Sequence, residues 1–374
     1  MVNYDLSSES GLMDEALRLA REGLYRTSPN PRVGCVLVGR EGKVIGRGST
    51  QRAGGPHAEV MALRDAQQQG HSVAGSTAYV TLEPCSHHGR TGPCCDALVD
   101  AGVARVVASL PDPNPLVAGR GFSRLRAAGV AVDVGLGREE SRELNLGFFS
   151  RMVRKTPWVR MKVAASLDGI TALNNGASQW ITGPQARADG HHWRAKASAI
   201  LTGIGTVLAD NPRLDVREVA TPRQPHVVVV DSRLQLPADA ALFHPERSVY
   251  LYSAINNPPQ RQALEARGAI VTLLPNPEGR VDLASVLRDL AQKEINELHV
   301  EAGGTLNGAL IEQGLVDELL VYLAPKLLCA GRGMLMASPL SELSQAQALR
   351  FRSVERVGED LRVLARVAGR DEFV

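Results

Sequence analysis

Pro84-Cys85-Ser86-His87-His88-Gly89-Arg90-Thr91-Gly92-Pro93-Cys94-Cys95, read together with His57-Ala58-Glu59, decides how the first part of this chain is organised. The two stretches supply an imidazole, candidate thiolates and a carboxylate two residues from the imidazole. One His and two Cys fill three corners of a zinc tetrahedron and leave the fourth for water, whose pKa zinc lowers to roughly 7. Glu59 need not bind the metal; it can carry protons from that water to a leaving amine.

Working outward, Pro56 opens a helix predicted to reach Gln69, with Gly70 as its stop. His57 and Glu59 are therefore expected in a first helical turn. Neighbours two apart on a helix diverge by about 200°, so both approach one ion only over the helix end. The stretch 77–82 reads as a strand that delivers Cys85, and a helix is expected from Cys94 to Asp100. A thiol at a helix N-terminus has a lowered pKa. Cys94 and Cys95 diverge by about 100°, so one of them faces the metal, and spacing leaves open which.

The rest of the first half reads as helices over 14–23, 122–128 and 138–146 and strands over 33–38, 43–48, 103–110 and 130–134. Alternating strands and helices imply an α/β layered fold. Residues 148–157 read as a connector, so the boundary is placed near residue 150, giving domains 1–150 and 151–374. The second half shows strands over 158–164, 199–202, 226–230, 248–253, 270–274, 298–301, 319–323 and 361–367. Helices are expected over 185–196, 261–267 and 282–293, and after Gly303-Gly304-Thr305 to Gln313.

At 374 residues the chain has room for two ordinary domains. Its 44% hydrophobic and 22% charged content is that of a water-soluble globular protein. A net charge of +2 argues against a broad nucleic-acid or membrane footprint. No apolar run reaches the ~18 residues of a membrane span. MVNYDLSSES lacks the pattern of a secretory signal, and five cysteines, two of them in a metal-like cluster, fit a reducing cytoplasm. Cys35 and Cys329 sit in apolar runs and read as plain core residues.

Each candidate site has a plainer reading. The His/Cys group matches the H-x-E…P-C-x-x-C signature of zinc deaminases, except that eight residues, not two, separate Cys85 from Cys94. A structural zinc closed by His87 or His88 is the plain alternative; Glu59 beside His57 and Pro84 before Cys85 favour the open, catalytic version. Asn30, between two prolines, can pair with a pyrimidine edge or simply form a turn. Gly303-Gly304-Thr305 can cradle a phosphate or merely punctuate a strand-to-helix turn. Gly203-Ile204-Gly205-Thr206 is weaker and does not fit a dinucleotide fingerprint. Lys162, Asp168, Arg194 and Arg217 read by default as surface charges, and Trp180 as ordinary core.

Taken together, these stretches resemble the bifunctional riboflavin biosynthesis (RibD) family, a pyrimidine deaminase fused to a reductase. The carrying residues in the first half are Pro29-Asn30-Pro31-Arg32-Val33-Gly34, the zinc stretches with their long Cys-to-Cys loop, and Asp112-Pro113-Asn114-Pro115 with Gly119 and Gly121. In the second half they are 162–169, Ser178-Gln179-Trp180-Ile181-Thr182, 207–217 and Glu301-Ala302-Gly303-Gly304. The resemblance implies a cytidine-deaminase-like α/β/α sandwich followed by a dihydrofolate-reductase-like α/β domain. It implies Zn2+ on His57, Cys85 and Cys94, with Glu59 catalytic and Cys95 a neighbour. It implies deamination of 2,5-diamino-6-ribosylamino-4(3H)-pyrimidinone 5′-phosphate and then NADPH-dependent reduction of the ribosyl side chain to ribityl.

The same resemblance assigns Ala164, Trp180, Thr206, Asp210, Ser232, Gly303, Gly304 and Thr305 to NADPH. Ser178, Arg194, Leu214, Arg217 and Glu301 are assigned to the reductase substrate, with Arg194 and Arg217 suited to its phosphate. Asn30, His87 and Arg90 are assigned to the deaminase substrate. Thr50 stands where the family often has a substrate-pocket His. Small pyrimidine ribose phosphates, no nucleic acid, no membrane and a homo-oligomer are the implied partners. A nucleoside or tRNA deaminase with an unrelated second half is the competing enzyme reading; acting on polynucleotide, it would call for a basic, aromatic-rich surface, and aromatic residues are only 4%. A silent zinc scaffold would have lost Glu59 or a ligand, and all are present.

Overall fold

The computed structural model describes residues 5–86, 92–115 and 118–373. It divides into two compact units, Met1–Arg154 and Lys155–Val374.

The first unit runs α1 (Glu9–Arg21), β1 (Gly34–Val38), β2 (Val44–Ser49), α2 (Ala58–Gln68), β3 (Thr77–Val80), α3 (Cys94–Asp100), β4 (Arg105–Ala108), α4 (Arg120–Ala127), β5 (Ala131–Val134), α5 (Arg138–Leu144) and α6 (Leu146–Arg154). Its sheet has the order β2-β1-β3-β4-β5. β1 pairs antiparallel with β2 and β3, and β3-β4-β5 are parallel. Ser8 caps α1 by accepting from the Gly11 amide at 3.2 Å, which is why this helix begins before the expected Asp14. Leu12, Met13, Ala16 and Leu17 pack on Val36, Val38 and Tyr79.

The two faces of the sheet separate by register. Val36 lies opposite Arg47, whose Nε donates to Glu15 of α1 at 3.1 Å. Gly46 and Gly48 point the other way, onto α2. A Cβ at Gly48 would stand 2.1 Å from the Ala58 carbonyl oxygen. Glycine there lets the first turn of α2 lie directly on the strand, giving helices on both faces.

Residues expected as a connector form α6 instead. Leu146, Phe148, Phe149 and Ser150 are buried in it; the paired phenylalanines among basic residues hid its period. This helix straddles position 150.

The second unit runs β6 (Trp158–Ser166), β7 (Ile170–Ala172), α7 (Pro184–Lys196), β8 (Ala199–Gly203), α8 (Ile204–Asp210), β9 (His226–Val230), β10 (Val249–Ser253), α9 (Pro258–Ala266), β11 (Ala269–Leu273), α10 (Leu283–Gln292), β12 (Glu297–Val300), α11 (Gly304–Glu312), β13 (Glu318–Ala324), β14 (Arg332–Gly333), β15 (Leu349–Val357) and β16 (Asp360–Val367). Nine strands form one sheet, β11-β10-β9-β8-β12-β6-β13-β16-β15. It is parallel up to β13 and ends in an antiparallel hairpin. β15 escaped the sequence reading because a bulge between Phe351 and Ser353 breaks its alternation and its apolar residues stay exposed.

β6 shows how the sheet is built. Val159, Met161, Val163 and Ala165 enter an apolar cluster with Val286, Leu287 and Leu290 of α10. The alternate residue Arg160, 1% exposed, bonds Glu318 at 2.7 Å and Glu297 at 3.2 Å. Arg366 bonds Glu318 at 3.1 Å and Asp371 at 2.9 Å. Such buried ion pairs contribute little net stability, but removing one partner costs about 3–5 kcal/mol.

Cys35 is buried, as expected. Cys329 is exposed, contrary to expectation. Its backbone is left-handed (φ 60°), and its amide, with that of Leu328, donates to the Asp168 carboxylate at 2.7 and 3.2 Å. The apolar run 327–330 is a loop shaped by that carboxylate.

Candidate active sites

His57 does not sit inside the first turn of α2. It is the residue before the helix, with extended backbone (φ −78°, ψ 170°), while Glu59 lies in the first turn. This resolves the angular problem of two neighbours facing one ion. β3 leads into Cys85, and Cys94 opens α3. The ligand atoms of His57, Cys85 and Cys94 all lie within 4.8 Å of one another. His57 Nδ1 is 3.2 Å from Cys94 Sγ and 3.6 Å from Cys85 Sγ. A zinc tetrahedron with Zn–N of about 2.0 Å and Zn–S of about 2.3 Å has an N–S edge of about 3.6 Å. The donor set and its spacing therefore fit zinc. Cys95 turns away, its thiol 3.6 Å from the Asp96 carboxylate, and burial pushes it up to about 12. The helix thus presents Cys94 to the group and Cys95 to its own neighbour.

The local electrostatics favour one thiolate before any metal arrives. The Cys94 thiol and the His57 imidazole, both hydrogen-bonded to it, hold Cys85 well below the usual thiol range. The Cys94 amide adds a bond to its sulfur at 3.3 Å. Cys94 is pushed the other way by that same thiolate and by burial. Glu59 is 3% exposed, and burial raises its carboxyl to about 7.

The second unit holds a cavity of about 710 Å3. The N-termini of α8 and α11, which follow the adjacent parallel strands β8 and β12, both open on it through Gly203, Thr206, Gly303 and Thr305. This is the carboxyl-end crevice of an open α/β sheet, where helix N-termini favour phosphate. Across it, Arg194 grips Glu301 with two bonds of 2.5 and 2.9 Å, and Lys162 Nζ stands 3.9 Å from the same carboxylate. Burial alone would raise Glu301, but Arg194 and Lys162 overcome it and hold the carboxylate ionised, far below its usual range. Burial lowers Lys162.

Residues 6–110 match the family described as the cytidine and deoxycytidylate deaminase zinc-binding region. Residues 157–363 match the RibD C-terminal domain. The chain belongs to the RibD family. It is 47% identical over 358 residues to the riboflavin biosynthesis protein RibD of Escherichia coli (strain K12), covering 93% of this chain and 96% of that one. Against the solved RibD of Acinetobacter baumannii, form 1, the TM-score is 0.89 at 41% identity, over 97% of this chain and all (100%) of that one. The deaminase/reductase of Thermotoga maritima gives 0.85 at 32% identity, over 96% and 98%. The chain is thus a deaminase and a reductase of riboflavin biosynthesis in one polypeptide, its first domain zinc-binding and its second the RibD reductase.

With the RibD family in place, the expected residues can be located. Ala164, Ser178, Arg194, Thr206, Asp210, Leu214, Glu301, Gly303, Gly304 and Thr305 all line the cavity, which brings these second-half positions together. Trp180 does not line it; it is not core either, being 63% exposed with Arg187 over its ring at 4.5 Å. Ser232 accepts from the Val281 amide at 3.1 Å and lies outside the lining. Arg217 also lies outside it, paired to Asp215 at 2.8 Å with its side chain 49% exposed. Asp168 is an exposed loop cap, as its default reading held, whereas Lys162 and Arg194 are not surface charges. Asn30 is half-buried, its amide donating to Thr27 at 2.9 Å. His87 and Arg90 lie outside the described residues. The Thr50 side chain is buried, and its hydroxyl has no partner among the described residues.

Sequence reasoning passed over Met334, Met336, Arg332 and Asn307, which close the cavity, because nothing in their spacing sets them apart. It also passed over Glu83, whose position beside Pro84-Cys85 was the available signal.

Proposed function

We propose that His57, Cys85 and Cys94 hold one zinc ion and that this centre deaminates 2,5-diamino-6-ribosylamino-4(3H)-pyrimidinone 5′-phosphate. The observation that carries the reading is the His57–Cys85–Cys94 group at zinc-ligand spacing with the Glu59 carboxylate buried beside it. Zinc supplies Lewis acidity that makes water a nucleophile at neutral pH. Glu59 takes the proton of the attacking water and delivers it to the departing amine. Asn30 pairs with the pyrimidine edge, and the Thr50 hydroxyl, unpartnered among the described residues, supplies a neutral hydrogen bond. His87 and Arg90 meet the phosphate.

In the second unit, Thr206, Gly303, Gly304 and Thr305, at the cavity wall where α8 and α11 begin, would hold the phosphates of NADPH. Ala164 and Asp210 complete that wall, and Trp180 and Ser232, outside the lining, would meet the cofactor beyond it. The substrate enters between Ser178, Leu214 and Glu301. Arg217, the less committed guanidinium, takes the 5′-phosphate, while Arg194 orients Glu301. Bound there, NADPH would supply the hydride for reducing the ribosyl side chain, and Lys162, beside Glu301 in the cavity wall, would donate the accompanying proton.

Zinc analysis of the purified protein, combined with NADPH oxidation on the deaminated pyrimidine phosphate, tests both halves. One zinc per chain and substrate-dependent NADPH consumption are expected; absence of either removes that half. A homo-oligomer is supported by the exposed apolar residues of the edge strand β15, with Phe351 75% exposed, and sedimentation as a monomer would remove it. No helix among the described residues is long and apolar enough to cross a membrane. Five free cysteines support a reducing, cytoplasmic setting, which localisation of a tagged chain would check.

A further inference from the structure

The segment after β4 carries residues that the deaminase chemistry leaves unexplained, Asp112 and the pair Gly119 and Gly121. The structure ties all of them to one carboxylate. Glu83 is 3% exposed. Its Oε2 accepts from the amides of Asp112 (3.1 Å) and Gly119 (2.9 Å), and its Oε1 from those of Gly121 (2.9 Å) and Phe122 (3.3 Å). Its own amide donates to Leu110 at 2.9 Å. Two of these four donors, Gly121 and Phe122, are first-turn amides of α4 that have no acceptor within the helix. A carboxylate accepting several amides is a charge-assisted lock stronger than neutral bonds.

The lock closes onto the zinc loop. A Cβ at Gly121 would stand 2.0 Å from the Pro84 carbonyl oxygen, so the α4 turn rests directly on the residue before Cys85. Gly119 adopts φ +82°, which suits glycine. The held segment also includes Asp112, itself only 8% exposed, whose backbone position is fixed by its amide bond to Glu83.

We propose that Glu83 is a positioning residue of the deaminase centre: its carboxylate holds Asp112, Gly119 and the first turn of α4, which rests on Pro84, and so sets where Cys85 and Asp112 stand relative to the metal. The proposal rests on the assignment of that centre to His57, Cys85 and Cys94. Glutamine at this position keeps one acceptor oxygen and turns an NH2 toward two amide donors. Aspartate keeps both oxygens on a stem one methylene shorter.

Glu83→Gln and Glu83→Asp are made in the full chain, with zinc replaced by cobalt(II) in one set of samples. Three quantities are read: the visible cobalt–thiolate spectrum, the rate of zinc release to a chelator, and deaminase kcat and KM. Glu83→Gln is expected to alter the cobalt bands. It should release zinc and lower kcat by roughly tenfold or more, the range of outer-shell metal-site changes, with the reductase rate intact. Glu83→Asp should fall between it and the parent. A folded Glu83→Gln with parental spectrum, release rate and kcat overturns the proposal. Where that variant does not fold, Glu83→Asp decides on the same three readings. A parent protein that shows no cobalt–thiolate bands overturns the underlying ligand assignment instead.

Discussion

Gly48→Ala should separate the two activities without touching a single group that meets substrate or metal. The new methyl would stand 2.1 Å from the Ala58 carbonyl oxygen, 2.4 Å from the Ala62 amide nitrogen and 2.8 Å from Met61 Cβ. Two of those atoms are backbone, so no rotamer change relieves the overlap. Restoring an ordinary 3.4 Å contact from 2.1 Å requires about 1.3 Å of movement between β2 and the first turn of α2. That turn carries Glu59 and follows directly on His57. Overpacking of this kind costs about 1–3 kcal/mol of stability, and a misplacement of about 1 Å in a catalytic group costs on the order of 100-fold in rate. The same strain at Gly46, 2.3 Å from the Ala62 carbonyl, falls one turn further along. Gly46→Ala should therefore lose comparable stability but much less deaminase activity. The assay is deaminase kcat at a temperature where both variants are folded, with reduction measured on the same preparations as the internal control. Parental deamination in folded Gly48→Ala, or an equal loss in Gly46→Ala, would refute the reasoning.

Glu59→Gln should keep its zinc and lose deamination by roughly 10²–10⁴-fold, the range of general acid–base catalysis, while reduction persists; equal deaminase rates would remove the proton-carrying role. Asp210→Ala, at the cavity wall, should impair NADPH-dependent reduction and spare deamination, read as separate steady-state rates, and loss of both in a folded protein would contradict independent sites. His299 is fully buried, and burial lowers it from 6.5 to about 3. The unfolded chain then takes up a proton below pH 6.5 that the folded chain refuses until about pH 3, so this residue removes stability as pH falls through that window and none above it. Urea midpoints of His299→Leu should decline less steeply with acid over that range than those of the parent; parallel curves would show that the imidazole does not titrate this way.

The parts of the site legible in the sequence are those whose chemistry is carried by residue type at short spacing. His57, Glu59 and the two thiols announce a metal because few other uses need all four. The strand and helix alternation showed through because period and turn residues agreed along most of both units. The choice between Cys94 and Cys95 was not legible, since it depends on the phase of α3 relative to β3. α8 was hidden because Ile204–Asp210 is only two turns long and opens on glycine. Cys329 misled because apolar neighbours usually mean core, while here the Asp168 carboxylate imposes a loop. Glu83 was invisible as a clamp because its four donors lie 29 to 39 residues away.

Glu59 and Glu301 make the same point in electrostatic form. Glu59 is buried and Glu301 largely so, its side chain 13% exposed, and burial by itself pushes each upward. Around Glu301, Arg194 and Lys162 reverse that push, and the carboxylate is held as a fixed anion within a three-residue charge cluster. Around Glu59 the strongest neighbours are His57 and Cys85, themselves ligand candidates, and the carboxyl rises to about 7. A fixed anion suits orienting a substrate; a carboxyl that can change its proton near neutrality suits carrying one. The residue type is identical at both positions, so the division of labour is written in the strands and helices that deliver the cations. β6 and α7 bring Lys162 and Arg194 to one site, and the short step from His57 into α2 brings metal ligands to the other. Exchanging Arg194 for leucine should therefore raise the Glu301 pKa and make reduction fall as pH drops toward neutrality, a dependence the parent lacks. A variant whose reductase rate falls by the same factor at every pH would show that Arg194 acts only through packing.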